Sequence, residues 1–231
     1  MWAGTDLAIL PIMQESLDDD VTAGRDALER ADWTDARQRF AASLTTADRP
    51  EAREGLGLAL WFLGQVLEGI AERERSVEGY LRDGRCDDAV RMAVWVSHQH
   101  LLGGRPSAAR GWLARAERWV ERTQPSCSAR GWVAVEQARH AHRIEDRIAG
   151  AQRALDLAQV CEDSDLEVFA LSVLGRAVVG AGRREEGLKL LEEAMAAATA
   201  GRVRNVHTLA EAYCNLLEGC VSAGEWERGA E

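Results

Sequence analysis

Lysine, tyrosine and phenylalanine are nearly missing from this 231-residue chain, which has one Lys (Lys189), two Tyr and three Phe. Proline is also sparse, at Pro11, Pro50, Pro106 and Pro125 only. Proline breaks helix interiors, so so few of them leave room for long uninterrupted helices. The alternation of β-branched and polar residues that marks strands is absent, which argues against a sheet. No apolar run approaches the ~18 residues needed to cross a bilayer. The stretch Leu7 to Met13 is apolar, but it lacks a basic flank before it and a small-residue cleavage site after it. A signal peptide is therefore not expected, and a cytoplasmic location is.

Basic charge is in deficit. Lys and Arg number 28 against 38 Asp and Glu, giving a net charge of −10. A segment that grips a phosphate backbone relies on a basic face, so nucleic acid is not an expected partner of this segment. Cysteine is odd in number, with Cys86, Cys127, Cys161, Cys214 and Cys220, and no CxxC occurs. That pattern excludes a disulfide framework and reads as reduced thiols in a cytosolic protein. No GxSxG nucleophile elbow is present. Gly103-Gly104-Arg105-Pro106 lacks the GK[ST] ending of a phosphate loop. No enzyme activity, no cofactor and no metal site are expected.

The chain has abundant helix-forming residues and a recurring phrase. A small residue, polar residues and then Ala or Gly follow one another at Ala31–Ala36, Gly64–Gly69, Gly104–Ala109, Gly182–Gly187 and Gly224–Gly229. A repeat with a period of roughly 20–50 residues marks a solenoid. Landmarks give the period. Gly24 to Gly57 is a step of 33, Ala36 to Gly69 is also 33, and Gly182 to Gly224 is 42. The seam between helices is expected at Ala36, Phe40, Gly57, Gly69, Ala109, Leu113, Gly175, Gly187 and Leu191. The second helix of the fourth copy is expected over residues 147–160.

The expected fold is all-α: a right-handed superhelical solenoid of five to six antiparallel helix pairs. Residues 1–20 read as a lead-in, and 21–231 as the repeat domain, cut off within its last copy. An array closes with a polar cap. Tyr213, Leu216 and Leu217 would lack one, so the natural polypeptide is expected to continue.

Candidate chemistry is thin. His98 with His100, and His140 with His142, form two His-x-His pairs. Residues two apart on a helix point to different faces, so neither pair chelates by itself. His100 and His140 are one long repeat apart and could face each other, with Glu145, Asp146 or Cys127 nearby, but a solvated histidine is the simpler reading. Trp112 and Trp119, seven apart, suit a packing stripe. Trp95 and Trp132 lie on first helices, which line the concave side of such arrays. Exposed there, they would anchor a bound peptide. Arg91, Arg139 and Arg143 would read acidic groups beside them. These five residues are the candidate binding face.

The stretches Gly55–Trp61, Arg110–Ala116, Gly187–Met195 and Tyr213–Leu217 resemble the tetratricopeptide-like region of actinobacterial LuxR-type transcriptional regulators, including MalT-like ones. The resemblance covers roughly residues 21–231. It implies a non-enzymatic regulatory segment that holds a protein or peptide, or senses a small effector. Such regulators carry a C-terminal helix-turn-helix reader, and none fits after Gly224. Homo-oligomerisation stays open. The alternative is the helical interaction arm of an adenylate cyclase-like or ATPase-containing signalling protein.

Overall fold

A computed structural model describes residues 20–122 and 126–225. Trp2, Pro11, Pro125, Trp226 and nearly all of the expected lead-in lie outside the described residues. Among the described residues there is no strand. The chain packs as two compact units that divide between Arg85 and Cys86. The first holds α1 (residues 20–29), α2 (Trp33–Thr46), α3 (Pro50–Phe62) and α4 (Val66–Arg82). The second holds α5 (Cys86–Leu102), α6 (Pro106–Arg122), α7 (Cys127–His140), α8 (Ile144–Val160), α9 (Ser164–Gly180), α10 (Arg184–Ala197) and α11 (Val206–Ala223). A wider turn, Ala198–Arg202, follows α10. Within each unit, consecutive helices pack on one another as pairs, and neighbouring pairs pack side by side. Helix α8 starts at Ile144, a turn before residue 147. Glu145 and Asp146 sit in that first turn, where carboxylates suit the positive end of the helix dipole.

The recurring phrase marks the turns. Ala31, Gly64, Gly104, Gly182 and Gly224 all have positive φ, from 57° to 83°. Gly84 and Glu162 hold the same role between α4 and α5 and between α8 and α9. In each turn the next amide bonds back five residues. Gln65 donates to the Leu60 carbonyl at 2.9 Å, Arg105 to His100 at 2.9 Å and Arg183 to Val178 at 3.2 Å. This is the Schellman closure, which satisfies carbonyls that a helix end leaves open.

The pair seams lie where the spacing places them. Ala36 and Phe40 are buried, and the Phe40 ring fills the space left by Gly24 and Gly55. Gly57 of α3 meets Gly69 of α4, and Gly175 of α9 meets Gly187 of α10, backbone against backbone. A Cβ on Gly187 would stand 2.6 Å from the Val179 amide nitrogen and 2.7 Å from the Gly175 carbonyl oxygen. Backbone atoms cannot step aside as a flexible side chain would. Gly187→Ala is therefore expected to cost about 1–3 kcal/mol by overpacking. Gly111 on α6 has open space around it. Gly111→Ala is expected to stabilise by about 0.5–1 kcal/mol, because Ala loses less backbone entropy in a helix. Urea titration of both variants checks the pair, and similar midpoints would reject the tight seam.

Between pairs, a carboxylate near the start of one first helix accepts backbone amides that lead into the next. Asp87 takes the Ser126 N–H at 3.3 Å. Asp165 takes the Arg204 and Asn205 N–H groups at 3.2 and 3.0 Å. These links fix where α7 and α11 begin.

Candidate functional site

Helices α5, α7, α9 and α11 take the first position in their pairs, and in the second unit they converge on one indole. Trp95 of α5 is fully buried. Its ring lies 5.5 Å from Trp132 of α7, 5.0 Å from Phe169 of α9 and 4.1 Å from His207 of α11, the last stacked. Residues 92–100 of α5 are buried without a break, so this helix is covered on every side. The inner side of the unit is filled by its own side chains.

Beside the aromatic layer lies a buried polar one. His98 Nε2 is 2.8 Å from a Glu211 oxygen, and His207 Nε2 is 4.0 Å from the same oxygen. Arg139 on α7 bridges two carboxylates, at 3.5 Å from Glu211 and 3.7 Å from Glu136. The Ser97 hydroxyl donates to Glu136 at 2.7 Å, and His140 Nε2 is 3.1 Å from the same oxygen. Asn215 of α11 donates to the Ser172 hydroxyl of α9 at 2.9 Å. Ionisable and polar groups from three helices thus meet where water is largely excluded.

Burial pushes the Glu211 carboxyl up, but the charges of His98, Arg139 and His207 overcome it, and the group is held well below the usual carboxylate range. Glu136 follows the same logic. Burial raises it, and His140, Arg139, His98 and Ser97 together bring it below its ordinary value. A carboxylate whose pKa is lower in the folded state stabilises the fold above its unfolded pKa, and that stabilisation drains away as pH falls toward the folded value. The second unit is thus expected to lose stability from about pH 5 downward, and Glu211→Gln to flatten that slope. Urea midpoints measured between about pH 7 and pH 3 would show it. Parallel curves for the variant and the parent chain would reject it.

An open cup adjoins this layer. It holds about 300 Å³ between the end of α5, α7, the start of α8, α9 and α11. Three arginines line it: Arg139, Arg147 and Arg176. No carboxylate is among its described lining residues. Leu101, Ile144, Val173 and Val179 make its apolar wall.

The structure places the sequence candidates unevenly. Trp95 and Trp132 are buried at 0% and 1% exposure, so neither ring stands at a surface as a peptide anchor. The Trp132 indole N–H is held by Asp163 at 3.1 Å. Arg139 is at the centre of the charged layer. Arg91 pairs with Asp88 at 3.5 Å along its own helix, and Arg143, largely exposed, pairs with Glu145 at 3.4 Å. The five candidates do not form one face. Trp112 and Trp119 are half-buried and hold the Arg115 guanidinium, at 4.1 and 5.3 Å from the ring centres.

His207 and Glu211, which complete the inner layer, were not among the candidates. They sit four apart on α11, a spacing that puts both on one helix face. That spacing is the signal that could have found them. His98, His207 and Glu211 each bring one donor atom within 4.8 Å of the others. Two imidazoles and a carboxylate suit a divalent ion such as zinc, although the Arg139 guanidinium already neutralises this carboxylate. The His-x-His partners His100, His140 and His142 are outside that cluster. The Cys161 thiol is pushed up to about 12 by burial and by Cys127 beside it. A thiol so poorly ionised is a weak nucleophile at neutral pH.

No protein-family model matches the chain, and no curated protein matches it. Solved structures do. One is a signal transduction ATPase with numerous domains from Pyrococcus horikoshii, a protein with a tetratricopeptide repeat sensor. It matches 85% of this chain at 16% identity with a TM-score of 0.56. Another is the APC/C hetero-tetramer Cut9–Hcn1, which matches 93% of this chain at 14% identity with a TM-score of 0.62. The match spans 30% and 43% of those two chains. The fold is therefore all-α and of the tetratricopeptide-like solenoid kind.

Proposed function

We propose that this chain is a non-enzymatic sensing and interaction segment, the regulatory part of a LuxR-type transcriptional regulator. One observation carries the sensing half of that reading: the contact between α5 and α11 through Trp95, His207, His98 and Glu211. The helices lie at opposite ends of the second unit in sequence. Buried ion pairs add little net stability beyond what apolar packing would give. A charged, aromatic junction between distant pairs is instead an element that a ligand or partner can bias, because each pair leans on the next. The LuxR assignment draws on the resemblance of Gly55–Trp61, Arg110–Ala116, Gly187–Met195 and Tyr213–Leu217.

A second reading has its own support. The fold likeness to the repeat sensor of a signal transduction ATPase favours the helical arm of an ATPase-containing or adenylate cyclase-like protein. The gene that encodes this segment separates the two. A helix-turn-helix module in the same reading frame is the expected result. A nucleotide-binding or cyclase module there would overturn the first reading in favour of the second.

A further inference from the structure

We propose that the cup beside Arg139 binds a small organic anion: a carboxylate or phosphate head carried on a short apolar body. The inference deepens the sensing reading above and rests on it for its consequence, though not for its geometry.

The charge distribution is the first ground. The whole chain carries ten more formal negative than positive charges. Yet the described lining of the cup has three arginines and no acid. Such a local reversal is not an average property of this surface. Guanidinium groups present planar forks that match the paired oxygens of carboxylate and phosphate.

The state of each arginine is the second ground. Arg139 is committed to Glu136 and Glu211. Arg176 is paired with Glu218, and its Nη1 lies 3.4 Å from the side-chain Oδ1 of Asn215. Arg147 differs. Its Nε donates to the Ala141 carbonyl at 2.8 Å, which fixes the side chain. It has no ion pair with any described residue. It is thus an oriented cation beside the two others, with no carboxylate of its own.

The third ground is the wall. Leu101, Ile144, Val173 and Val179 give the cup an apolar lining beside its charged groups. A ligand with a polar head and a hydrocarbon body meets both. About 300 Å³ is the lower end of the usual size for small-molecule sites. A nucleic acid or long peptide would not fit within it.

The cup also reaches the charged layer. Arg139 faces the ligand space and holds Glu211 and Glu136 on its other flank. An anion in the cup competes for that guanidinium. Loosening Arg139 from Glu211 loosens the tie between α7 and α11, and with it the α5 contact through His98. The ligand's effect would be read at α5 and α11.

Calorimetric titration of the full chain with hexanoate, hexyl phosphate, inorganic phosphate and hexanol tests the site. Hexanoate or hexyl phosphate is expected to bind saturably, and their ranking identifies the preferred head. Hexanol and bare phosphate are expected to bind at least about tenfold more weakly, each lacking one half of the contact. Arg147→Gln is expected to weaken the better ligand by about tenfold. Because Arg147 holds no carboxylate, that variant should fold as the parent does. Gly180→Leu is a second probe. Gly180 lines the cup, and a Cβ there meets only Ile144, at an ordinary 3.5 Å, so a side chain is accommodated at its root and leucine is expected to occupy the cup and block binding. Equal binding of hexanol and hexanoate, or unchanged affinity in both variants, overturns the proposal. Amide hydrogen exchange on the same samples separates it from the sensing reading. Binding that leaves α5 and α11 exchange unchanged keeps the cup and ends the sensing role. No binding at all ends the cup and leaves the sensing role to another ligand.

Discussion

Trp95→Ala is expected to destabilise the second unit by about 3–5 kcal/mol, the usual cost of emptying a fully buried aromatic site. The indole is the meeting point of α5, α7, α9 and α11, so no single neighbour can move in to fill the space. The ring contacts at 4.1, 5.0 and 5.5 Å add to the area that burial removes from water. Trp95→Phe should lose much less. Denaturant titration gives both values, and near-ultraviolet circular dichroism reports whether the remaining rings stay fixed. The result also discriminates between two roles for this residue. A surface anchor for a peptide would tolerate Ala with a change within about 0.5 kcal/mol. A loss that small would return Trp95 to the binding face that its position on a first helix suggested.

Arg139→Met is the second large effect, at about 3–5 kcal/mol. The variant leaves Glu136 and Glu211 buried with one cation fewer, and an uncompensated buried charge is far costlier than a buried pair is helpful. The apolar stem of Met preserves most of the packing, including the place of the guanidinium near the Phe169 ring. Glu211→Gln in the same chain should recover a substantial part of the loss, because it removes one of the stranded charges. A double-mutant cycle isolates this coupling. If the two changes merely add, the Arg139–Glu211 contact at 3.5 Å contributes nothing specific and the charged layer is only surface-like.

Much of the architecture was legible because its causes are local. Gly57, Gly69, Gly175 and Gly187 announce the seams, since only a residue without Cβ lets two backbones approach so closely. The turn phrase is readable for a similar reason: a positive φ at Gly64, Gly104, Gly182 and Gly224 suits Gly above all. Glu162 does the same job without that signature. The site was much less legible. On α5, the run from Met92 to His100 is buried on all faces, so its periodicity carries no marker of an exposed side. What covers Trp95 and His98 is α11, more than a hundred residues later in the chain, and no short-range spacing encodes that meeting. Arg139 sits in the charged layer, at 3.5 Å from Glu211 and 3.7 Å from Glu136. Its partners are carboxylates of its own chain, not those of an acidic peptide. The division of the chain between Arg85 and Cys86 left no mark either, since Gly84 makes the same kind of turn there as the glycines inside each unit.

The junction of α5 with α11 changes how the second unit should come apart. A simple row of repeats can be shortened from one end and still leave a stable remainder, because each module rests only on its neighbours. Here α11 supplies a wall for α5. Deleting α11 would strip cover from Trp95 and His98 at the far end of the unit, so partial lengths should melt wholesale rather than shed one module at a time.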